Sequence, residues 1–329
     1  MNPEDKQFDP LTNLVPLEDA VVWTPVIERL GKTVGGWLRM DSPGGMVSGK
    51  PRLGKSAACR YLAQTLSLII GAPVAVVIWS IPDNKAMRER DFIQERMLQS
   101  GCTAVLHRDI AVLRSRLYDR LAHLAAEVSS KRVVIIVDEA QHLSADHYGY
   151  LIHCANELLD RRVRPFFLLV GQPELEDMAR RWNENMLQQV HGRFHTHEFI
   201  FTGIARSELA EVLEQMDERI SPERPSPPEA LLPAAYADGW RLSELAPQIG
   251  QALLAIATQH NITGEILVPM QYLRSMVLAF FSRVATQRLD PRSASAALML
   301  NCLRDSGFMG VIGYYAEAGY QQGDAGGPP

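Results

Sequence analysis

Gly49-Lys50-Pro51-Arg52-Leu53-Gly54-Lys55-Ser56, followed by the apolar stretch from Ala57 to Ile69, decides the fold. The octapeptide fits G-x-x-x-x-G-K-[ST], in which glycines let the backbone wrap phosphate groups with N–H groups turned inward. Cys59, Leu62, Ala63, Leu66 and Ile69 or Ile70 recur at helical spacing, so the loop opens a helix. The N-terminus of that helix adds partial positive charge where an anion would sit. The nucleotide-binding residues expected from this spacing are Gly49, Lys50, Pro51, Arg52, Leu53, Gly54, Lys55, Ser56 and Ala57. Lys55 is placed to reach the β- and γ-phosphates, and Ser56 to offer its hydroxyl to Mg²⁺. The competing reading is an ordinary glycine-rich turn before a helix. The preceding segment, Pro43 to Ser48, does not decide between them, because its glycines make a poor strand.

The decision comes from a second element. Arg132-Val133-Val134-Ile135-Ile136-Val137-Asp138-Glu139-Ala140-Gln141 holds five aliphatic residues and then two carboxylates. The β-branched run predicts a strand buried on both faces, hence a central parallel strand. Acidic residues at the carboxyl end of such a strand stand where ligands bind in open α/β sheets. Asp138 is then expected to hold Mg²⁺, directly or through water, and Glu139 to polarise an attacking water. Pro165 to Gly171 is a further apolar strand, and Gln172 at its tip could orient that water. Pro73 to Ile78, ending at Trp79, is another. The expected order is strand, loop, helix, strand, helices, acidic strand, helix, polar-tipped strand. This alternation implies an α/β fold with a mostly parallel sheet flanked by helices.

Four stretches together resemble an AAA+ ATPase: the P-loop, Asp138-Glu139-Ala140-Gln141, Ala155-Asn156-Glu157-Leu158 and Gly171-Gln172-Pro173-Glu174-Leu175. More narrowly they resemble the TniB/TnsC type of transposition ATPase, with secretion ATPases of the ExeA type as close cousins. The resemblance covers residues 20 to 205 well and the remainder loosely. It implies a P-loop AAA+ core followed by an all-helical lid. It implies ATP and Mg²⁺ as cofactors, and catalytic roles for Glu139 as the Walker B base, Gln172 as sensor 1 and Arg193 as an arginine sent into a neighbouring subunit. It also implies slow, assembly-dependent ATP hydrolysis and a homo-oligomer, ring or filament, on double-stranded DNA. That assembly would recruit a transposase and answer to a target-selection protein, and hydrolysis would disassemble it. In this family the region beyond the second strand approaches DNA, which points to Lys85, Arg88 and Arg90. The family's lid arginine has no match here: Gln271 or Tyr272 stands in its place and Arg274 is offset. Two alternatives are a nucleotide-gated protein adaptor or sensor that does not act on DNA, and an ExeA-like secretion ATPase.

Composition sets outer bounds. With 329 residues and 47% hydrophobic content the chain can build a large core and two domains. The net charge of −5 excludes a wholly basic nucleic-acid binder, so any DNA contact must be a local patch. Arg108, Arg114, Arg116 and Arg120, partly on one helix face, form a second candidate patch. No apolar run approaches membrane-spanning length, and the N-terminus lacks the basic and apolar regions of a signal peptide. Cys59, Cys102, Cys154 and Cys302 have no metal spacing and read as reduced core thiols of a cytoplasmic protein. His195 and His197 are expected on one face of a strand running to Phe201, with His191 nearby. They read as ordinary polar residues beside Arg193 rather than a metal site. The expected domains are an N-terminal arm over 1–20, the ATPase core over 21–205, a helical lid over 206–318 with a proline-rich linker at 221–233, and a disordered tail over 319–329.

Overall fold

A computed structural model describes residues 22–84, 87–184, 188–219 and 225–315. The arm expected over 1–20, Lys85, residues 221–224 of the linker and the tail over 319–329 lie outside them. The described residues divide into two compact units. Residues 27–201 form one, and residues 202 onward, with 22–26, belong to the other.

The first unit runs α1 (Pro25–Arg39, begun two residues before the unit), β1 (Gly44–Ser48), α2 (Lys55–Ile70), β2 (Ala75–Ser80), α3 (Glu89–Gln99) and α4 (Ile110–Glu127). It continues with β3 (Arg132–Asp138), α5 (Ala145–Asp160), β4 (Arg164–Gly171), α6 (Glu174–Glu184), α7 (Gln188–Phe194) and β5 (Glu198–Ile200). The five strands form one parallel sheet in the order β2-β3-β4-β1-β5. The aliphatic run of β3 occupies an inner position, with every residue from Val133 to Val137 fully buried. Side chains alternate across a strand. Val133, Ile135 and Val137 therefore enter a core with Phe92, Leu117, Leu121, Tyr148 and Leu158, while Val134 and Ile136 are buried on the opposite face. Each such side chain contributes about 1.5–3 kcal/mol of burial. That is why a central parallel strand tolerates no polar residue until its end.

β1 forms despite its glycines because its neighbours leave no room for side chains. A Cβ on Gly44 would come 2.5 Å from the Arg193 carbonyl oxygen, and one on Gly45 would come 2.6 Å from the Trp37 ring. Tertiary packing thus overrides a weak strand propensity. The strand expected from His195 to Phe201 is shorter, Glu198–Ile200, and His195 instead follows the last turn of α7. His195 and His197 therefore do not share a strand face. His195 is buried, while His197 stacks on Trp37 and bonds the Ser42 hydroxyl.

The second unit is helical: α8 (Leu209–Asp217), α9 (Pro227–Leu231), α10 (Pro233–Ala237), α11 (Ala246–Gln259), α12 (Met270–Gln287), α13 (Ala296–Asp305) and α14 (Ile312–Tyr315). Leu213, Trp240, Ile249, Leu273, Phe280 and Met299 are among its fully buried residues. Buried Asp217 accepts hydrogen bonds from the backbone N–H groups of Leu242 and Ser243 at 2.7 and 3.0 Å, which fixes the turn before α11. The stretch expected as an extended linker over 221–233 is corrected where it is described. Pro227, Pro228 and Pro233 sit in the first turns of α9 and α10, where a missing N–H costs nothing, and Ser226 caps α9. No helix among the described residues is long and apolar enough to cross a membrane.

Candidate nucleotide site

Register brings the expected site together. Ser48 of β1 pairs with Gly171 of β4, and Asp138 of β3 pairs with both Val170 of β4 and Ser80 of β2. The phosphate loop, the acidic pair and Gln172 therefore leave the sheet at one level, at the carboxyl ends of adjacent strands. The loop's shape comes from its own residues. Arg52 and Gly54 take positive φ of 63° and 107°, which turns the chain into α2. A Cβ on Gly49 would lie 2.5 Å from the Phe201 carbonyl oxygen, so that position requires glycine. Lys55 opens α2 and is buried, its ammonium donating to the carbonyls of Gly49 and Lys50 at 2.6 and 2.8 Å. Burial lowers its pKa, and the carboxylates of Glu139 and Asp138 act against that shift.

The Ser56 hydroxyl hydrogen-bonds the Asp138 carboxylate, opposing the rise in pKa that burial imposes on Asp138. A hydroxyl and a carboxylate already in contact form an all-oxygen donor pair. That suits Mg²⁺, which takes one or two protein ligands beside substrate phosphates. The second Asp138 contact is with the Glu139 N–H, at 3.0 Å to Oδ1. Glu139 itself sits at φ 58°, a left-handed conformation that turns the chain sharply out of β3 and carries its side chain away from the strand axis.

Sequence reasoning treated Gln141 only as part of a motif. Its carboxamide is buried and donates to Glu139 Oε2 at 2.5 Å, while its oxygen accepts the Gln172 N–H at 3.1 Å. These contacts join the ends of β3 and β4, and no spacing in the chain announces them. Gly171 offered the one available signal, because a Cβ there would strike Gln141 Oε1 at 2.6 Å.

Arg193 stands elsewhere. Its carbonyl abuts Gly44 at the start of β1, so it lies at the opposite end of the sheet from the loop. There it lines a cavity of about 370 Å³ with Asp41, Arg132, Arg164, Phe166 and Phe194. Arg132 and Arg164 both pair with Asp41, so three guanidiniums face a single carboxylate among the lining residues. One turn along, His195 is buried with neither ring nitrogen hydrogen-bonded among the described residues. Desolvation and then the neighbouring His191 push its pKa down to about 4, from 6.5. The folded state thus binds this proton less well than the unfolded chain. Stability is full above pH 6.5 and declines as pH falls towards 4, by about 3 kcal/mol at most. Thermal melts of wild type and His195→Phe across pH 4–8 should show a shallower acid decline in the variant.

The basic candidates divide. Lys85 lies outside the described residues. Arg88 is exposed at the start of α3, whereas Arg90 donates to the carbonyls of His107 and Arg108, the latter at 2.6 Å. Arg90 thus holds the loop before α4. In the second cluster Arg114 pairs with Glu89, and Arg120 bonds the Ser100 carbonyl and Glu127. Arg88, Arg108 and Arg116 are the exposed members, and Arg116 donates to the Ala104 carbonyl at 3.4 Å.

Comparison with known proteins agrees with this geometry. Residues 39–179 match the family described as an AAA domain. General secretion pathway protein A of Aeromonas hydrophila is 31% identical over 155 residues, covering 46% of this chain and 26% of that protein. This chain thus spans about a quarter of the curated relative's length. Among solved structures, the Aeropyrum pernix ORC2 protein in ADPNP-ADP complexes is similar at a TM-score of 0.57 and 15% identity, over 85% of this chain and 66% of that one. Its ADP form gives 0.55 and 16%, over 84% and 67%. At such identities the likeness concerns fold alone. The five-stranded parallel sheet, the loop at its carboxyl edge and the helical region that follows constitute an AAA+ P-loop ATPase fold, within which residues 39–179 match the AAA domain family.

Proposed function

We propose that this chain is an ATP-hydrolysing switch that assembles head to tail on duplex DNA in the manner of a transposition regulator. Residues 49–57 hold the phosphates, and Ser56 and Asp138 hold Mg²⁺, which neutralises charge on the phosphate oxygens. Glu139 polarises the attacking water and Gln172 orients it. The observation that carries the assembled state is the placement of Arg193 at the far end of the sheet from its own phosphate loop. An arginine there is out of reach of its own phosphate loop, and in this reading it serves a site on a neighbouring copy. The γ-phosphate then favours the assembled population, and its loss releases it. The DNA and transposase assignment rests on the resemblance of the Asp138–Gln141 and Gly171–Leu175 stretches, with Arg88 as the exposed basic candidate.

The similarity to General secretion pathway protein A favours a second reading, a secretion-linked ATPase that does not act on DNA. Negative-stain microscopy with a non-hydrolysable ATP analogue, with and without duplex DNA, separates the two. Rings or filaments that need both ligands support the transposition reading. Assembly with nucleotide alone, indifferent to DNA, sinks it and supports an adaptor or secretion role.

A further inference from the structure

Gln141 closes the Asp138–Gln141 stretch but carries none of the roles assigned to the nucleotide site, yet its side chain touches both Glu139 and the backbone of Gln172. Its orientation is fixed by chemistry. The Gln172 N–H is a donor, so the amide atom facing it at 3.1 Å must be the oxygen. The nitrogen then faces Glu139 Oε2 at 2.5 Å. The same nitrogen lies 3.3 Å from His142 Nε2, and His142 Nδ1 lies 3.2 Å from Asp83 Oδ1. A neutral His142 with its proton on Nδ1 satisfies both contacts, donating to Asp83 and accepting from Gln141. Both amide N–H groups and the amide oxygen are then engaged. Gly171 keeps the space for that oxygen clear, since any side chain there would displace it.

We propose that Gln141 is a positioning residue for ATP hydrolysis: its carboxamide ties the Glu139 carboxylate to the Gln172 backbone, so that the base and the γ-phosphate sensor move as one unit. This rests on the reading of Glu139 as the group that polarises water. The reasoning is geometric. Glu139 follows a left-handed backbone turn, and its half-exposed side chain would otherwise be free to rotate. Its backbone N–H is committed to Asp138, so the side chain is oriented through Gln141. A displacement of the strand end at Gln172 is thereby transmitted to the carboxylate through two hydrogen bonds.

The test uses the full chain, a fluorescent ATP analogue for affinity and single-turnover hydrolysis of ATP for rate. Gln141→Met keeps the volume and removes both hydrogen bonds. Gly171→Ala displaces the amide without changing it. Both should lower the hydrolysis rate about 10-fold or more while nucleotide affinity stays within about twofold. In a Glu139→Gln background, Gln141→Met should cause no further loss, because a positioning residue acts only through the group it positions. A purely structural defect would lower both backgrounds alike. Gln141→Met hydrolysing at the wild-type rate or faster, an affinity loss matching the rate loss, or an undiminished effect in the Glu139→Gln background would each overturn the proposal. A wild-type chain that binds no nucleotide would remove the nucleotide reading itself, and this inference with it.

Discussion

Glu139→Gln is expected to lower ATP turnover by roughly 10²- to 10⁴-fold, the usual worth of a positioned acid–base group, with nucleotide affinity nearly unchanged. The two carboxylates at the end of β3 are not equivalent. Asp138 is buried and spends its oxygens on the Ser56 hydroxyl and the Glu139 N–H, which ties it to the loop, where we propose it as a Mg²⁺ ligand. Glu139 is half-exposed and accepts from one neutral amide, so it is the carboxylate left to polarise water. The substitution preserves shape, and Lys55, Ser56 and Asp138 keep their contacts. Bound ATP should then persist, and the assembled state with it. Rapid-quench measurement of one turnover separates this from a binding defect, and turnover at the wild-type rate would remove Glu139 from the catalytic role.

How much of this was legible in the chain depends on how local each cause is. The octapeptide at 49–56 and the aliphatic run of β3 carry their structure in their own residues, and the structure places both as read. β1 was obscure because its glycines answer to Trp37 and to the Arg193 backbone, far away in sequence. The short β5 and the helical turn before His195 were misread for a similar reason. A run of aromatic and β-branched residues says nothing of how much edge a neighbouring strand offers. The prolines of α9 and α10 carried two meanings, and only a capping Ser226 and the first-turn positions select the helical one. Arginines are the least legible. Arg90 and Arg120 look alike as charges, and both turn out to be bonded to backbone carbonyls. Gln141 was invisible because its partners Glu139 and Gln172 lie at the ends of β3 and β4, which only the pairing of those two strands brings level.

Arg193→Ala is expected to lower hydrolysis about 1,000-fold or more in the assembled protein, the lower end of what an arginine supplied to a phosphoryl-transfer site contributes. In the isolated chain it should change nothing, because Arg193 stands at the opposite end of the sheet from Lys55. The surrounding cavity argues the same way. Asp41 is shared between Arg132 and Arg164, which leaves the lining short of negative charge, and an anion brought by a neighbour would correct that. Mixing gives the sharper measurement. Glu139→Gln subunits retain a competent arginine but cannot use their own nucleotide, while Arg193→Ala subunits retain a competent site but lack a donor. Combined, they should recover a substantial part of wild-type activity wherever an intact arginine meets an intact site, although each alone is nearly inactive. Recovery that rises and falls with total protein concentration would identify the contact as intermolecular. Absence of any recovery, with assembly verified by light scattering, would return Arg193 to an ordinary surface residue at the end of α7 and would leave the nucleotide site to work without a neighbour.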